Sequence, residues 1–176
     1  ALLTVIDGNR KAQALKLAIN NLNFALEGMS RTIRTGTQYH CAQNADNPPP
    51  PNPIQQAKDC TNINGGKLLA VEAFGGDSTT SSDQYVYRFM ETVGGPSSAK
   101  KGWLERSTNG GNVFLPITAP EVDINEFKFI VTGSRSSDTL QPRVIMTMSG
   151  TAGKTGKVET TFNLQTMVSQ RILDLP

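Results

Sequence analysis

The chain has 176 residues, 37% of them hydrophobic, with 16 glycines, 10 prolines and a formal net charge of +2. A chain of this length is expected to form one globular unit, and its small net charge excludes a general electrostatic attraction to nucleic acid or anionic membranes. No run of eighteen apolar residues, about the length that crosses a bilayer, occurs in it.

The first 35 residues predict a long amphipathic helix. Its expected packing face consists of six apolar residues spaced by three or four positions: Leu15, Ile19, Leu22, Leu26, Met29 and Ile33. This spacing places them on one side of an α-helix. We expect the helix to run over residues 10–35, to end at Gly36, and to kink or unwind at residues 7–9. The apolar residues 1–6 are expected to be the end of a membrane segment that precedes them.

The two cysteines, Cys41 and Cys60, flank a proline-rich segment at residues 47–53. The even count and the spacing predict a disulfide at the base of a loop over residues 36–64, worth roughly 3 kcal/mol. Such a bond indicates an oxidising compartment, either the periplasm or the cell exterior. The alternative is a cytosolic protein with two free thiols. A metal site is disfavoured, since His40 is the only histidine available as a ligand.

Residues 65–176 predict an antiparallel β domain. The candidate strands are residues 67–74, 84–91, 102–107, 113–117, 126–133, 143–148 and 158–170. Asn109-Gly110 is a strong hairpin signal, and residues 150–156 read as a turn. Strands with one apolar face need a cover, which the helix supplies. The fold class is therefore α+β, with the long N-terminal helix packed on one antiparallel sheet in a single globular unit.

Catalytic patterns are weak, and the sequence indicates a protein that is not an enzyme. His40 would have to act in any catalytic triad, but it adjoins Cys41 and reads as a loop residue. Four carboxylates lie near a strand end and a proline-bounded loop, where solvated side chains are the ordinary finding: Glu105, Glu121, Asp123 and Glu126. Residues 150–156 superficially resemble a phosphate-binding loop, but the glycine spacing is too short and a strand follows.

Two binding readings remain open. Asp77 and Asp83 lie in an oxygen-rich segment that offers weak calcium candidates, with a plain turn as the alternative; we expect no other metal and no cofactor. A small basic patch with one aromatic ring would suit nucleic acid, and its candidates are Lys100, Lys101, Trp103, Lys154 and Lys157. The alternative is that Trp103 fills the core.

This layout resembles that of type IV pilin-like proteins. Residues 1–12, ALLTVIDGNRKA, are similar to the point where the apolar segment of a prepilin gives way to its amphipathic half. Residues 161–174, TFNLQTMVSQRILD, resemble the closing strand of J- or W-type minor pseudopilins. The resemblance implies a pilin-like fold, with residues 1–35 as the truncated pilin-type helix, residues 36–64 as the disulfide-tied loop and residues 65–176 as the β domain.

The resemblance also implies a function. In that family the helix anchors the precursor in the inner membrane and then packs with the helices of other subunits in a filament. We therefore expect a subunit of a type IV pilus or secretion pseudopilus in the bacterial cell envelope, with other pilins or pseudopilins as partners. The bridged loop and large β body favour a minor subunit. The family's processing-site glycine, aromatic first residue and early glutamate are expected before Ala1.

The alternative function is a binding module. An exported adhesin or DNA-capture protein would display its loops on the cell surface and would need no filament. A short basic leader followed by about 20 apolar residues, the length of a membrane-spanning helix, would favour the structural subunit. A cleavable secretory signal ending near Ala1 would favour the binding module.

Overall fold

A computed structural model of the chain is α+β, with an N-terminal helix and antiparallel sheets, which confirms the predicted fold class at this coarse level. The structure describes residues 2–45, 53–54, 56–92, 100–135, 137–153 and 159–171. Most of the predicted proline-rich segment, together with Lys154 and Lys157, lies outside the described residues.

Helix α1 spans Leu2–Thr35 without interruption, so the expected start at Arg10 and the unwinding at residues 7–9 are wrong. One glycine costs a helix only about 1 kcal/mol relative to alanine, and propagation from both sides outweighs that cost. Gly36 follows the helix, as predicted, and its N–H donates to the Thr32 carbonyl at 2.9 Å. A side chain on Gly36 would collide with Val71, so the glycine lets the helix end approach the sheet.

The β region forms two sheets instead of the single sheet that we predicted. The first sheet contains, in spatial order, β1 (Thr37–Ala42), β2 (Leu68–Glu72), β3 (Tyr85–Glu91), β4 (Gly102–Ser107) and β5 (Leu115–Pro116). The second sheet contains β6 (Val122–Thr132), β7 (Arg143–Gly153) and β8 (Glu159–Ser169). Every neighbouring pair of strands is antiparallel.

Several strand limits differ from the predictions. Strand β5 has two residues instead of the five predicted at 113–117. Strand β6 begins at Val122 and not at Glu126, because a bulge between Ile124 and Glu126 interrupts the alternation of apolar residues. Strand β7 continues to Gly153, so the first part of the turn predicted at residues 150–156 is strand.

The main core lies between α1 and both sheets. On the predicted packing face Leu22, Met29 and Ile33 are buried, and the other three residues pack partly buried against the same core. The helix contacts all three strands of the second sheet. The ring of Phe89 in β3 lies 6.2 Å from that of Phe127 in β6, which joins the two sheets across one apolar interior.

Residues 58–66, here called the strap, hold the two sheets together. Lys58 exchanges 2.9 Å backbone hydrogen bonds with Tyr39 and Cys41 in β1. Further along the strap, Cys60 and Gly66 bond to the backbone of β6. The predicted disulfide between Cys41 and Cys60 is present and pins the strap to β1. Within the predicted loop over residues 36–64, Thr37–Ala42 form β1, and residues 58–64 lie in the strap, which contacts both sheets through isolated bridges.

Candidate functional site

The first half of α1 has little contact with the globular part in the residues described. All side chains described between Ile6 and Gln13 are exposed, and among the helix side chains that the structure describes the first buried one is Ala18, at 3% exposure. At 1.5 Å per residue, residues 2–17 extend over about 24 Å. The helix is therefore divided into a half that is packed on the sheet and a half that projects.

Three large apolar side chains face outward along this helix: Ile6, Leu17 and Phe24 are 43%, 70% and 78% exposed. They are spaced by eleven and seven positions, which places them within about 20° of one another around the axis. Phe24 lies about 160° around the axis from Leu22, on the side opposite the core. We call these three residues the outer stripe. The sequence reading missed it because the packing face gave a stronger pattern.

The packed half of α1 is held by polar contacts as well as by the core. Asn21, a poor helix former, accepts a 2.7 Å hydrogen bond from the backbone N–H of Ala119 through its side-chain oxygen. At the C-terminal end the N–H of Arg171 donates to the Arg34 carbonyl at 2.8 Å. These bonds fix the direction in which the projecting half leaves the body.

Of the predicted basic patch, the structure describes Lys100, Lys101 and Trp103. Lys100 is exposed, and the Lys101 ammonium donates to the Pro120 carbonyl at 2.8 Å. The Trp103 ring is half-buried, and its indole N–H donates to the Glu105 carboxylate at 2.8 Å. That carboxylate also pairs with Arg88 at 2.8 Å. A negative charge therefore lies beside the aromatic ring that was expected to stack on a base.

The residues considered for catalysis have structural contacts. His40 Nδ1–H donates to the Gln56 carbonyl at 2.9 Å, and burial lowers the pKa of this imidazole, which keeps it neutral at pH 7. Its neighbour Cys41 is in the disulfide and offers no thiolate. Asp123 accepts the N–H of Gly102 at 2.8 Å. Glu121 and Glu126 are exposed.

The two calcium candidates lie in one turn and are joined by a hydrogen bond. Asp77 accepts hydrogen bonds from the Thr79 side chain and backbone, which lower the pKa of its carboxyl. Asp83 accepts the Asp77 N–H at 2.7 Å. Sequence reasoning missed the third carboxylate here, Glu72, which is only 2% exposed. Within the described part of the chain no three His, Cys, Asp or Glu side chains are grouped to hold a metal ion.

A cleft of about 910 Å³ opens between the two sheets. Lys67 and Glu91 form a 2.6 Å ion pair on its wall. Side-chain amides supply much of the remaining polar lining, among them Asn44, Asn64, Asn125 and Asn163. No sequence signal reveals this cleft, because its residues come from separate segments that only the fold brings together.

Comparison with known proteins identifies no matching family model, curated protein or solved structure. Among the residues described, no helix combines the length and apolarity needed to cross a membrane. The features that bear on function are therefore those of the chain itself: the divided helix, the outer stripe, the disulfide-pinned strap and the sheet edges.

Proposed function

We propose that this chain is the folded part of a type IV pilin-like protein, a structural subunit of a bacterial pilus or secretion pseudopilus that assembles through α1. The observation that carries the proposal is the division of this helix at Ala18 into a packed half and a projecting half. A subunit of this kind has to remain folded while part of its helix is free to contact other subunits.

The projecting half has little reason to be stable alone. An isolated helix of about this length gains little stability in water, and of the side chains described in this half only Leu15 is partly buried against the core. Packing against the helices of neighbouring subunits would supply further burial. Leu17 at the end of this half and Phe24 in the packed half are the most exposed large apolar side chains described on the helix, and they would extend such contacts along the outer stripe.

The disulfide supports a location in the cell envelope, since such bonds persist in oxidising compartments. The strap and the two-sheet body give the outward-facing part a large surface of its own. We place the protein among the minor subunits for that reason, with other pilins or pseudopilins as its partners.

The test is to express the full-length gene with its neighbouring genes and to image the cell surface by immunoelectron microscopy. Label along the filaments or at their tips supports a subunit, and label confined to the tips supports a minor one. Unlabelled filaments that persist after deletion of the gene would contradict the proposal and favour a free-standing binding module.

Point variants sharpen this test. Leu17→Asp and Phe24→Asp place a charge on the outer stripe at exposed positions, so the domain should fold while assembly is lost. Asn23→Asp adds the same charge to an exposed position about 100° away from Phe24 around the axis, and filaments should persist. Normal filaments from both stripe variants would contradict assembly through this face.

A further inference from the structure

Three of the four sheet edges are protected. The outer side of β1 bonds to Lys58, and that of β6 bonds to Cys60 and Gly66. Strand β5 has only two residues and ends in Pro116. Strand β8 has eleven residues, and none of the residues that the structure describes pairs with its outer side. Long unprotected edges are ready to accept another strand.

The register shows which backbone groups of β8 are free. The N–H of Gln170 donates to the Pro142 carbonyl at 3.0 Å, one step beyond the Arg143–Ser169 pair. Bonded pairs alternate along an antiparallel ladder, so even-numbered residues of β8 bond to β7. The N–H and C=O groups of the odd-numbered residues, including Asn163 and Gln165, therefore point outward.

The edge lacks the devices that usually block pairing, which are lysine, proline and inward-pointing charge. The sequence from Thr160 to Gln170 is uncharged and contains no proline. Beside the edge, a groove of about 320 Å³ between α1 and β8 is lined by Leu26, Met146 and Leu164. Leu164 is half-buried, so apolar surface remains open next to the free backbone groups.

We propose that β8 pairs antiparallel with β8 of a second copy of this chain, so that the two three-stranded sheets become one six-stranded sheet. A second copy has no other long open edge to offer within the described residues. Antiparallel pairing of identical strands is two-fold symmetric. The register that pairs all eleven residues is centred on Leu164 and places Asn163 opposite Gln165 of the second copy.

This register is self-complementary. Glu159 lies opposite Ser169, so no like charges meet. Leu164 faces its own copy as a non-hydrogen-bonded pair, whose side chains are close, and the pairing covers the two grooves. The two α1 helices then point in opposite directions. The dimer is therefore a separate assembly from the filament contact, and it does not depend on the proposed function.

The first test is size-exclusion chromatography with light scattering on the purified 176-residue chain. Gln165→Pro removes an outward N–H without touching a bond to β7, a position at which an edge strand tolerates proline. Gln165→Thr is the matched control, because it changes the side chain and keeps the N–H. We expect the parent and Gln165→Thr to dimerise and Gln165→Pro to stay monomeric with native circular dichroism. A monomeric parent at about 1 mM, a concentration that detects weak pairing, would overturn the proposal, as would a dimeric Gln165→Pro.

A charge pair tests the register without proline. Asn163→Lys combined with Gln165→Lys places like charges opposite each other in a self-pair, and the corresponding double Glu variant does the same. Each variant alone should be monomeric, whereas an equal mixture should form the mixed dimer. Homodimers of either variant, or a mixture that stays monomeric, would overturn the pairing.

Amide hydrogen exchange locates the contact by residue. In the parent dimer the amides of Asn163, Gln165 and Met167 should exchange at least tenfold more slowly than in the parent protein diluted below its dissociation constant. The even-numbered amides, which bond to β7, should be protected in both samples. A dimer that leaves the odd-numbered amides unprotected would place the interface elsewhere and overturn the proposal.

Discussion

The hydroxyl of Tyr39 donates a 2.6 Å hydrogen bond to the backbone carbonyl of Ile33, in the last turn of α1. The last carbonyls of a helix lack partners within the helix, and here both sheets supply them. Tyr39 belongs to β1, while Gln170 and Arg171, just beyond β8, donate to the carbonyls of Gly36 and Arg34. The helix end is thus fixed between the two sheets.

Tyr39→Phe should lower the free energy of unfolding by about 1–3 kcal/mol, because it leaves a buried carbonyl without its donor. Urea denaturation followed by circular dichroism measures this change. Tyr85→Phe, at a half-buried position in β3, is the matched control and should cost little. Equal losses from the two variants would show that the hydroxyl of Tyr39 does not anchor the helix.

Leu22→Asp should prevent folding, because Leu22 has no exposed surface and an unpaired buried charge costs several kcal/mol. Leu17→Asp introduces the same side chain into the same helix at a position that is 70% exposed, and the melting temperature should change little. Thermal unfolding of both variants separates the packing face from the outer stripe. A native melting temperature for Leu22→Asp would contradict the packing of α1 on the second sheet.

The C-terminal half of α1 is readable from the sequence, because its stripe is fixed by the helical repeat and by burial. The N-terminal half is not. Residues 7–9 are poor helix formers and suggested a break, yet the helix continues through them. Gly8 makes the helix less stable than alanine would by about 1 kcal/mol, and this penalty is too small to stop propagation of the helix.

The alternation of apolar residues predicts the long strands of the second sheet, including the buried faces of Phe127, Phe129 and Val131. It does not predict how the strands are divided between sheets, because strands of either sheet show the same alternation of apolar residues. The two sheets are joined by bonds from the strap to β1 and β6, which connect residues far apart in the sequence. Strand β1 was missed for the same reason, since its partner β2 lies some thirty residues later.

The candidate functional features depend on exposure, which sequence patterns report poorly. Phe24 and Leu17 read as ordinary apolar residues, and only the fold shows that they face outward. The open edge of β8 likewise follows from the strand order and from no motif. The disulfide, by contrast, was predictable because two cysteines leave one possible intramolecular pair.

Removing the disulfide should lower stability by about 3 kcal/mol, from the entropy of the loop that it closes. The double variant Cys41→Ala with Cys60→Ala measures this loss by urea denaturation. A thiol assay on the folded, non-reduced protein should find no reactive thiol. Two reactive thiols, or unchanged stability of the double variant, would refute the role of the bond in holding the strap.

Gly66 offers an independent test of the strap. A Cβ at this position would overlap the sulfurs of Cys41 and Cys60 and the Ala42 carbonyl. Gly66→Ala should therefore destabilise the protein by about 2 kcal/mol or more, in the range of overpacked core substitutions. Gly75→Ala is not a matched control because Gly75 has a positive φ, so Gly28→Ala, which meets nothing within 4 Å, serves instead. Gly28→Ala should gain up to about 1 kcal/mol from helix propensity, and a Gly66→Ala protein as stable as the parent would mean that the strap can shift away from the disulfide.

The carboxyl of Glu72 is buried and lies near a second carboxyl, that of Asp83. One of its oxygens accepts a 3.0 Å hydrogen bond from Gln84, and the other meets no hydrogen-bond donor among the described residues. In the described part of the chain an oxygen of Asp83 is also buried without a donor, and a Cβ on Gly76 would collide with both side chains. Burial, reinforced by Asp83 and Asp77 and opposed by Gln84, raises the pKa of Glu72 above its ordinary 4.5.

This raised pKa fixes the sign of a pH effect. Between pH 4.5 and the raised pKa of Glu72 in the folded protein, the folded state holds a proton on this carboxyl that the unfolded chain has lost. The free energy of unfolding therefore falls as the pH rises through this range. Glu72→Gln cannot ionise and can donate to the unpaired oxygen of Asp83, so it should stabilise the protein at pH 7 by about 1 kcal/mol. The gain should shrink as the pH falls to 4.5. Urea denaturation from pH 4 to pH 8 checks this, with exposed Glu121→Gln as the control; a gain that is independent of pH, or a loss at pH 7, would contradict the buried carboxyl pair.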